Sequence, residues 1–333
     1  MAKKKYDVCA IGNALVDYEI EINNDFLKKH KVEKGLMTLV DEERQHVLLK
    51  AVQNQIRKKQ GGGSAANTVI ALSQLGGKGF YSCKVASDDD GVFYIKDLND
   101  NGVETNLKPD ALAKGTTGKC LVMVSEDAER TMNTFLGITA DFSTHEISEE
   151  ALINSEYLFI EGYLVSSETG REAMKEAKKL AEENDVKVSL TFSDPSMVKY
   201  FKKEMEDVVG ASVDLLFCNE EEAMLFTGKE NIEEAREELK KAAKKFVITQ
   251  GKNGAMVYDG DTFIDIEPYP VKAVDSTGAG DMFSGAFLYG ITHGHTYASS
   301  AKLASKASSE IVSKYGPRLA YFELQEIKEE VFG

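Results

Sequence analysis

The sequence predicts an α/β protein with a doubly wound, mainly parallel sheet, helices on both faces and a small β lid. Short apolar runs alternate with amphipathic stretches over most of the 333 residues. Several runs are continuously apolar, as expected for strands that are buried on both faces. Two other stretches break this alternation and predict strands outside the main sheet.

The core strands and helices follow from these runs in chain order. Because strands and helices alternate, the strands are expected to be parallel, with helices on both sides of the sheet. The predicted strands are 7–11, 79–85, 157–161, 186–192, 215–218 and 245–249, and the clearest predicted helices are 64–75, 168–184, 221–226, 233–244 and 298–313.

The strands of the lid are predicted in two pairs. The first pair is 18–22 with 36–40, and the second is a hairpin of 119–125 with 131–138. Strands that leave a doubly wound core often cover a substrate. We therefore expect a single domain over residues 1–333, with lid strands inserted at about 18–40 and 119–138.

Composition excludes several classes of partner. The 55 acidic and 40 basic residues give a net charge of −15, whereas nucleic acids and anionic membranes require a basic patch. No apolar run approaches the ~20 residues of a membrane span, and no secretory signal pattern is present at the N-terminus.

The four cysteines form no Cys-x-x-Cys pair, which favours buried free thiols. A cytoplasmic monomer or homodimer is expected.

The segment from Asp275 to Asp281 carries the strongest chemical signal. Gly278, Ala279 and Gly280 leave the backbone bare, so its N–H groups can approach an anion at the start of the apolar helix that follows. A carboxylate beside this site repels the anion unless it takes a proton from an attacking hydroxyl. An anion hole with an adjacent base is what phosphoryl transfer to an alcohol requires. The alternative is a turn residue followed by a first-turn helix charge.

A second glycine-rich segment, Gly61 to Gly63, precedes Ser64 and another predicted helix. It is not a Walker A loop, because no Gly-Lys-Ser/Thr follows, and it lacks the context of a dinucleotide site. Asn67 lies about one turn into the helix, where its amide can bind a hydroxyl. The alternative is a flexible loop that caps a helix.

Asp17 follows the first predicted strand. In α/β sheets, ligands bind beyond the carboxyl ends of the strands. A carboxylate at this position is suited to accept both hydroxyls of a diol, such as the 2′- and 3′-hydroxyls of ribose. The alternative is an aspartate that caps a turn.

The order of these motifs, from Asn13 to Ser309, resembles the ribokinase-like (PfkB) family of small-molecule kinases. The resemblance implies a ribokinase-like fold and a kinase that uses ATP and Mg²⁺. It implies that Asp281 is the base and that Gly278, Ala279 and Gly280 form the anion hole. The residues that it implies for the acceptor are Asp17, Asn13, Gly62, Gly63 and Asn67, and we expect Phe135 or another apolar residue of the lid to cover the base of the acceptor.

The resemblance also implies a nucleotide site. Asn219 and Glu222 match an Asn-x-x-Glu motif that supports Mg²⁺ through water, although acids in a first helical turn are also favoured by the helix dipole. Asp275 and Thr277 are expected at a monovalent-cation site for K⁺, and the roles of Arg130 and Lys252 stay open. The other residues implied for ATP are Thr249, Gly251, Gly254 and Ser308.

The expected reaction is transfer of the γ-phosphate to a primary hydroxyl of a ribose-containing acceptor, with adenosine, converted to AMP, as the first candidate. Segments 26–30, 63–64 and 130–133 are closer to adenosine kinases than to ribokinases. The alternative is a sugar kinase that acts on ribose, fructose or a related carbohydrate. A silent binding protein is a further alternative, and the absence of Gly-x-Gly-x-x-Gly after the first strand argues against a Rossmann oxidoreductase.

Overall fold

Two β-sheets organise the chain in a computed structural model that describes residues 4–35, 37–126 and 130–333. In chain order the strands are β1 (Tyr6–Ile11), β2 (Leu15–Glu21), β3 (Met37–Leu39), β4 (Ile56–Gly62), β5 (Gly79–Ser82), β6 (Glu104–Thr105), β7 (Thr117–Val124), β8 (Arg130–Gly137), β9 (Ser155–Glu161), β10 (Lys187–Thr191), β11 (Leu215–Asn219), β12 (Phe246–Thr249), β13 (Ala255–Tyr258) and β14 (Phe263–Ile266).

Helices connect these strands and cover the sheets. They are α1 (Asn24–Lys29), α2 (Glu42–Val52), α3 (Ser64–Gln74), α4 (Asp89–Asp100), α5 (Glu149–Ile153), α6 (Glu168–Glu183), α7 (Pro195–Tyr200), α8 (Lys202–Val209), α9 (Glu220–Thr227), α10 (Ile232–Leu239), α11 (Ala279–Thr292), α12 (Tyr297–Val312) and α13 (Tyr321–Phe332). Among the described residues, no helix has both the length and the apolar character needed to cross a bilayer.

The main sheet has nine strands in the order β14-β13-β12-β11-β10-β9-β1-β5-β6. The strands from β12 to β6 are parallel, whereas β13 and β14 add an antiparallel edge. The predicted doubly wound α/β class is therefore confirmed. The antiparallel edge is an addition that the sequence analysis did not predict.

Both faces of the main sheet are buried, which explains the continuous apolar runs. On β1, Val8 and Ala10 belong to one buried cluster, together with side chains of α3, α11 and α12. The alternating residues Cys9 and Ile11 belong to a second cluster with α5 to α10. A strand with helices on both sides needs apolar residues at every position.

The small sheet consists of five strands in the order β3-β8-β7-β2-β4. Four of them overlap the predicted lid segments, although Leu36 and residues 127–129, at the start of one predicted strand and the tip of the hairpin, lie outside the described residues. The fifth, β4, was not among the predicted strands. Its sequence is Ile-Arg-Lys-Lys-Gln-Gly-Gly. This segment has no alternation of apolar and polar residues and ends in glycines, which are unusual in strands, so the sequence did not indicate a strand.

Candidate active site

The N-terminus of α11 is open to an incoming anion. Gly278 caps the helix in the left-handed conformation with φ of 76°, and a Cβ there would lie 2.7 Å from Pro317. Gly280 is exposed, and a Cβ on it would meet nothing within 4 Å. Helix N-termini attract anions through their free N–H groups and the dipole. The segment predicted as the anion hole thus leaves space beside Gly280, while the N–H of Ala279 donates to the carbonyl oxygen of Ser276 at 3.2 Å.

Asp281 lies in the first turn of α11 and is held by two side chains of α3. Its Oδ1 accepts a hydrogen bond from Ser64 Oγ at 2.6 Å, and its Oδ2 accepts one from Asn67 Nδ2 at 3.1 Å. Burial raises the pKa of Asp281 to about 6, and these two hydrogen bonds oppose that rise. A carboxylate with a pKa near 6 is ionised at neutral pH and remains basic enough to accept a proton.

The N-terminus of α3 is already occupied by a carboxylate of the protein. Glu161, at the carboxyl end of β9, accepts a hydrogen bond from Ala65 N at 2.8 Å through Oε2. A Cβ on Gly12 would lie 2.5 Å from the same oxygen. The glycine-rich segment before α3 therefore binds an internal anion, which the sequence analysis did not foresee because Glu161 only ended a predicted strand.

Asn13 also donates hydrogen bonds to Glu161. Its backbone N and its Nδ2 both lie 3.2 Å from Glu161 Oε1, and its Oδ1 lies 3.4 Å from Thr139 Oγ1. Burial raises the pKa of Glu161 to about 7, while the bonds from Ala65 and Asn13 lower it. Asn13 therefore supports Glu161 in this structure, and its role at the acceptor stays a prediction.

Asn67 connects Asp281 to Arg318. While its Nδ2 donates to Asp281, its Oδ1 accepts from Arg318 Nε at 2.9 Å. The Arg318 guanidinium also donates to Asp97 Oδ2 at 2.7 Å and to the carbonyl oxygen of Gly61. Arg318 thus fixes the strand β4, the helix α4 and the amide that orients the candidate base. The sequence analysis did not single out Arg318, since nothing local pointed to these distant partners.

Asp17 lies within β2, not in the turn that was the alternative reading. Its carboxylate accepts no hydrogen bond from the residues that the structure describes. A Cβ on Gly62 would lie 2.4 Å from Asp17 Oδ2, so the carboxylate needs a glycine at that position. Burial raises the pKa of Asp17 to about 7, against the opposing charges of Arg318 and Arg130.

Gly62 lies against this carboxylate, and Gly63 follows it at the start of α3. Gly62 ends β4, and its carbonyl oxygen accepts a hydrogen bond from Tyr94 Oη at 2.8 Å. Gly63 caps α3 with φ of 104°, where an added Cβ would lie 2.2 Å from the carbonyl oxygen of Asn13. Asp17 is the member of the predicted acceptor set whose polar side chain is left without a partner among the described residues.

Phe135 lies on the opposite face of the small sheet from Asp17. Asp17 pairs with Cys120, which pairs with Thr134, whereas Phe135 pairs with Lys119. Directly paired residues point to the same face and successive residues alternate. The register therefore does not support Phe135 as the cover of the acceptor and brings Thr134 to the Asp17 face instead. Both faces of β7 are apolar, so the sequence pattern could not distinguish them.

Arg130 connects the small sheet to the segment before α11. Its NH2 lies 2.7 Å from Asp275 Oδ2, and its NH1 donates to Thr277 Oγ1 at 3.3 Å. Asp275 also accepts from the backbone N of Thr277 at 3.0 Å and of Gly316 at 2.9 Å. The guanidinium neutralises the carboxylate predicted to hold a monovalent cation, so this arrangement does not support a K⁺ site at Asp275 and Thr277.

The residues predicted for the nucleotide lie at the carboxyl ends of β11 and β12. Asn219 and Thr249 are direct register partners on these strands. Gly251 and Gly254 have φ of 55° and 90° and frame the turn between β12 and β13. Ser308 on α12 donates through Oγ to the carbonyl oxygen of Ala279 at 2.8 Å, next to the anion hole.

Glu222 and Asn219 bond to each other in a capping box at the start of α9. Asn219 Oδ1 accepts from Glu222 N at 2.8 Å, while Asn219 N and Nδ2 donate to the two oxygens of Glu222. Burial raises the pKa of Glu222 to about 7. Among the described residues no cluster of three or more His, Cys, Asp or Glu is placed to hold a metal. The side chains therefore do not form a magnesium cage.

Known proteins match this arrangement over most of the chain. The family model described as pfkB family carbohydrate kinase matches residues 35–322. The chain belongs to this family. The ribokinase-like fold predicted from the motifs is confirmed, and the protein is a phosphotransferase of the class with an alcohol group as acceptor.

Three relatives illustrate the range of acceptors in this family. A 5-dehydro-2-deoxygluconokinase of Clostridium beijerinckii is 28% identical over 94% of this chain and 88% of its own. A probable sugar kinase of Rhizobium etli has a solved structure that is 30% identical, covers 98% of both chains and superposes with a TM-score of 0.89. The structure of an adenosine kinase of Sinorhizobium meliloti is also 30% identical, covers 98% of this chain and 99% of its own, and has a TM-score of 0.88.

Proposed function

We propose that this pfkB-family kinase transfers the γ-phosphate of ATP to a primary hydroxyl of a ribose-containing acceptor, with Asp281 as the general base. The observation that supports this most is the adjacency of Asp281 to the open N-terminus of α11, where Gly280 leaves room for an anion. Bound ATP supplies the phosphoryl group, and the residues of the chain supply the base and the anion site.

Asp281 takes the proton of the acceptor hydroxyl onto a carboxylate oxygen. Ser64 and Asn67 orient the carboxylate and favour its ionised form by hydrogen bonding. The positive end of the α11 dipole and the N–H groups near Gly280 stabilise the negative charge of the phosphoryl group. Both contributions come from fixed groups, so little reorganisation is needed during the reaction.

Asp17 binds hydroxyls of the acceptor in this proposal. Its carboxylate is unpartnered among the described residues, and it borders a cavity of about 20 Å³, roughly the space of one water molecule. An acceptor of sugar size requires the small sheet to move away from α11. The contact of Arg130 with Asp275 is the connection that must open.

Adenosine is the first candidate acceptor. Its support is the 30% identity to the Sinorhizobium meliloti adenosine kinase over 98% of this chain. A free sugar or sugar acid is the second candidate, favoured by the curated 5-dehydro-2-deoxygluconokinases. The polar residues around Asp17, which are Glu19, Lys58 and Gln60, also suit a hydroxylated acceptor better than a nucleobase.

The decisive experiment is ADP release from Mg-ATP by the purified protein with adenosine, inosine, ribose, fructose and 5-dehydro-2-deoxygluconate as acceptors. Turnover with adenosine alone supports the nucleoside assignment. Turnover with the sugars alone keeps the mechanism and replaces the acceptor. The absence of turnover with every acceptor, together with no binding of Mg-ATP, contradicts the proposed function.

A further inference from the structure

Gln60 lies directly across from Asp17 in the small sheet. The two residues are paired in the antiparallel register of β4 and β2, so their side chains point to the same face. The next pair on this face is Glu19 with Lys58. This face also carries Arg130 and borders the cavity at Asp17.

The amide of Gln60 is buried without a partner. Gln60 is 9% exposed, and its Nε2 makes no hydrogen bond within the described residues. An unpaired buried donor loses its hydrogen bond to water without replacement, so native proteins seldom retain one. Gln60 lines the same cavity as Asp17, where a ligand hydroxyl can satisfy it.

The two side chains are complementary to a sugar hydroxyl. An ionised aspartate only accepts hydrogen bonds, whereas the Nε2 of a glutamine only donates them. A hydroxyl does both, and a vicinal diol presents two such groups side by side. A diol between β2 and β4 can therefore donate to Asp17 and accept from Gln60 at the same time.

We propose that Gln60 is a specificity-determining residue whose Nε2 donates a hydrogen bond to a hydroxyl of the acceptor while Asp17 accepts one. This inference rests on the proposed function, because it assigns Gln60 to the acceptor of that reaction. In this inference β2 and the edge strand β4, which flank the cavity, recognise the acceptor, rather than an aromatic cover.

Gln45 provides a matched control on the other face of the same sheet. It is 2% exposed, and its Oε1 is likewise buried without a partner among the described residues. It belongs to α2, which packs against β8, and its Nε2 donates to the carbonyl oxygen of Lys119. Gln45 does not line the cavity at Asp17, so its replacement tests the effect of losing a buried glutamine alone.

The kinetic test compares wild type, Gln60→Leu, the isosteric Gln60→Glu and Gln45→Leu with Mg-ATP and each acceptor of the panel. Both Gln60 variants are expected to raise the KM of the acceptor roughly tenfold, the size of one lost hydrogen bond to a buried group. The KM of ATP is expected to stay within twofold, and Gln45→Leu is expected to leave both constants within twofold. An unchanged acceptor KM in both Gln60 variants overturns the inference.

A thermal unfolding experiment without any acceptor tests Gln60 independently of turnover. Gln60→Leu removes an unpaired amide at similar volume, so it is expected to raise Tm by about 2 °C or more. A lower Tm for this variant means that the amide is already bonded in the free protein, which overturns the inference. If wild type neither phosphorylates an acceptor of the panel nor binds Mg-ATP, the proposed function fails, while this measurement still decides whether the Gln60 amide is bonded in the free protein.

Discussion

The two glycine-rich helix N-termini of this protein have similar sequences and different occupants. The α3 N-terminus, at Gly63 and Ser64, binds the carboxylate of Glu161. The α11 N-terminus, at Gly278 to Gly280, is open. Glycines before a small-residue helix therefore indicate strong backbone donors, but they do not indicate whether the acceptor is a ligand or another part of the chain.

The N-terminus of α3, which binds Glu161, supports the residues at the N-terminus of α11. Because Glu161 fixes the start of α3, the first turns of this helix present Ser64 and Asn67 to Asp281 at the start of α11. In the proposed function, α11 supplies the site for the anion, and α3 orients the base beside it. Because the two N-termini differ in this way, we expect substitutions at the N-terminus of α11 to lower the turnover rate. We expect backbone changes at the N-terminus of α3 to lower the stability of the protein.

The largest expected effect comes from Asp281→Asn. Removing the carboxylate removes the proton acceptor, and we expect kcat to fall by roughly 10²–10⁴. The matched control is Asp261→Asn, at an exposed turn, which should leave kcat unchanged. The measurement is steady-state ADP release with a responding acceptor. Near-normal kcat in Asp281→Asn means that Asp281 is only a first-turn helix charge.

Two glycine substitutions distinguish the expected roles of the two helix N-termini. Gly280→Ala meets no atom within 4 Å, so we expect unchanged stability and a loss of roughly 10² in kcat/KM for ATP, because the methyl group obstructs the anion site. Gly63→Ala would force an alanine to adopt φ of 104° and would place its Cβ 2.2 Å from the carbonyl oxygen of Asn13. This strain should lower the free energy of unfolding by about 1–3 kcal/mol or more. Urea unfolding and ATP kinetics of both variants test this separation, and loss of stability in Gly280→Ala would contradict it.

A smaller effect is expected from Ser64→Ala. The hydrogen bond from Ser64 lowers the pKa of Asp281, so its loss should raise that pKa above about 6. The base must be ionised to act, and the acid limb of the kcat/KM profile should therefore move to higher pH. Activity should fall more at pH 6 than at pH 8. Ser73→Ala, on the same helix but bonded to the carbonyl oxygen of Gly102, should leave the profile in place.

Much of the fold followed from the sequence because the core strands lie between helices. A strand buried on both faces, such as β1 or β11, needs an uninterrupted apolar run, and such runs are visible without a structure. The strand β4 was missed because its exposed residues and terminal glycines have no alternating pattern. The antiparallel β13 and β14 were missed because their short runs lie outside the alternation of strands and helices.

The site was less predictable than the fold because its contacts are distant in sequence. Asp281 and Asp17 were found from local motifs, and their side chains do face the two parts of the site. The support from Glu161 and Arg318 depends on partners about 100 or more residues away, which no local pattern reveals. The face of Phe135 depended on strand register, which the sequence left undetermined because both faces of β7 are apolar.

The most direct test of the account is an NMR titration of the ¹⁵N-labelled protein with Mg-ATP. The backbone amides near Gly280 and Asp281 are expected to shift strongly, because they lie at the open N-terminus. The amide of Ala65 is expected to shift little, because Glu161 already accepts its hydrogen bond. Large shifts at Ala65 with unchanged amides at Gly280 and Asp281 would contradict the assignment of the two helix N-termini.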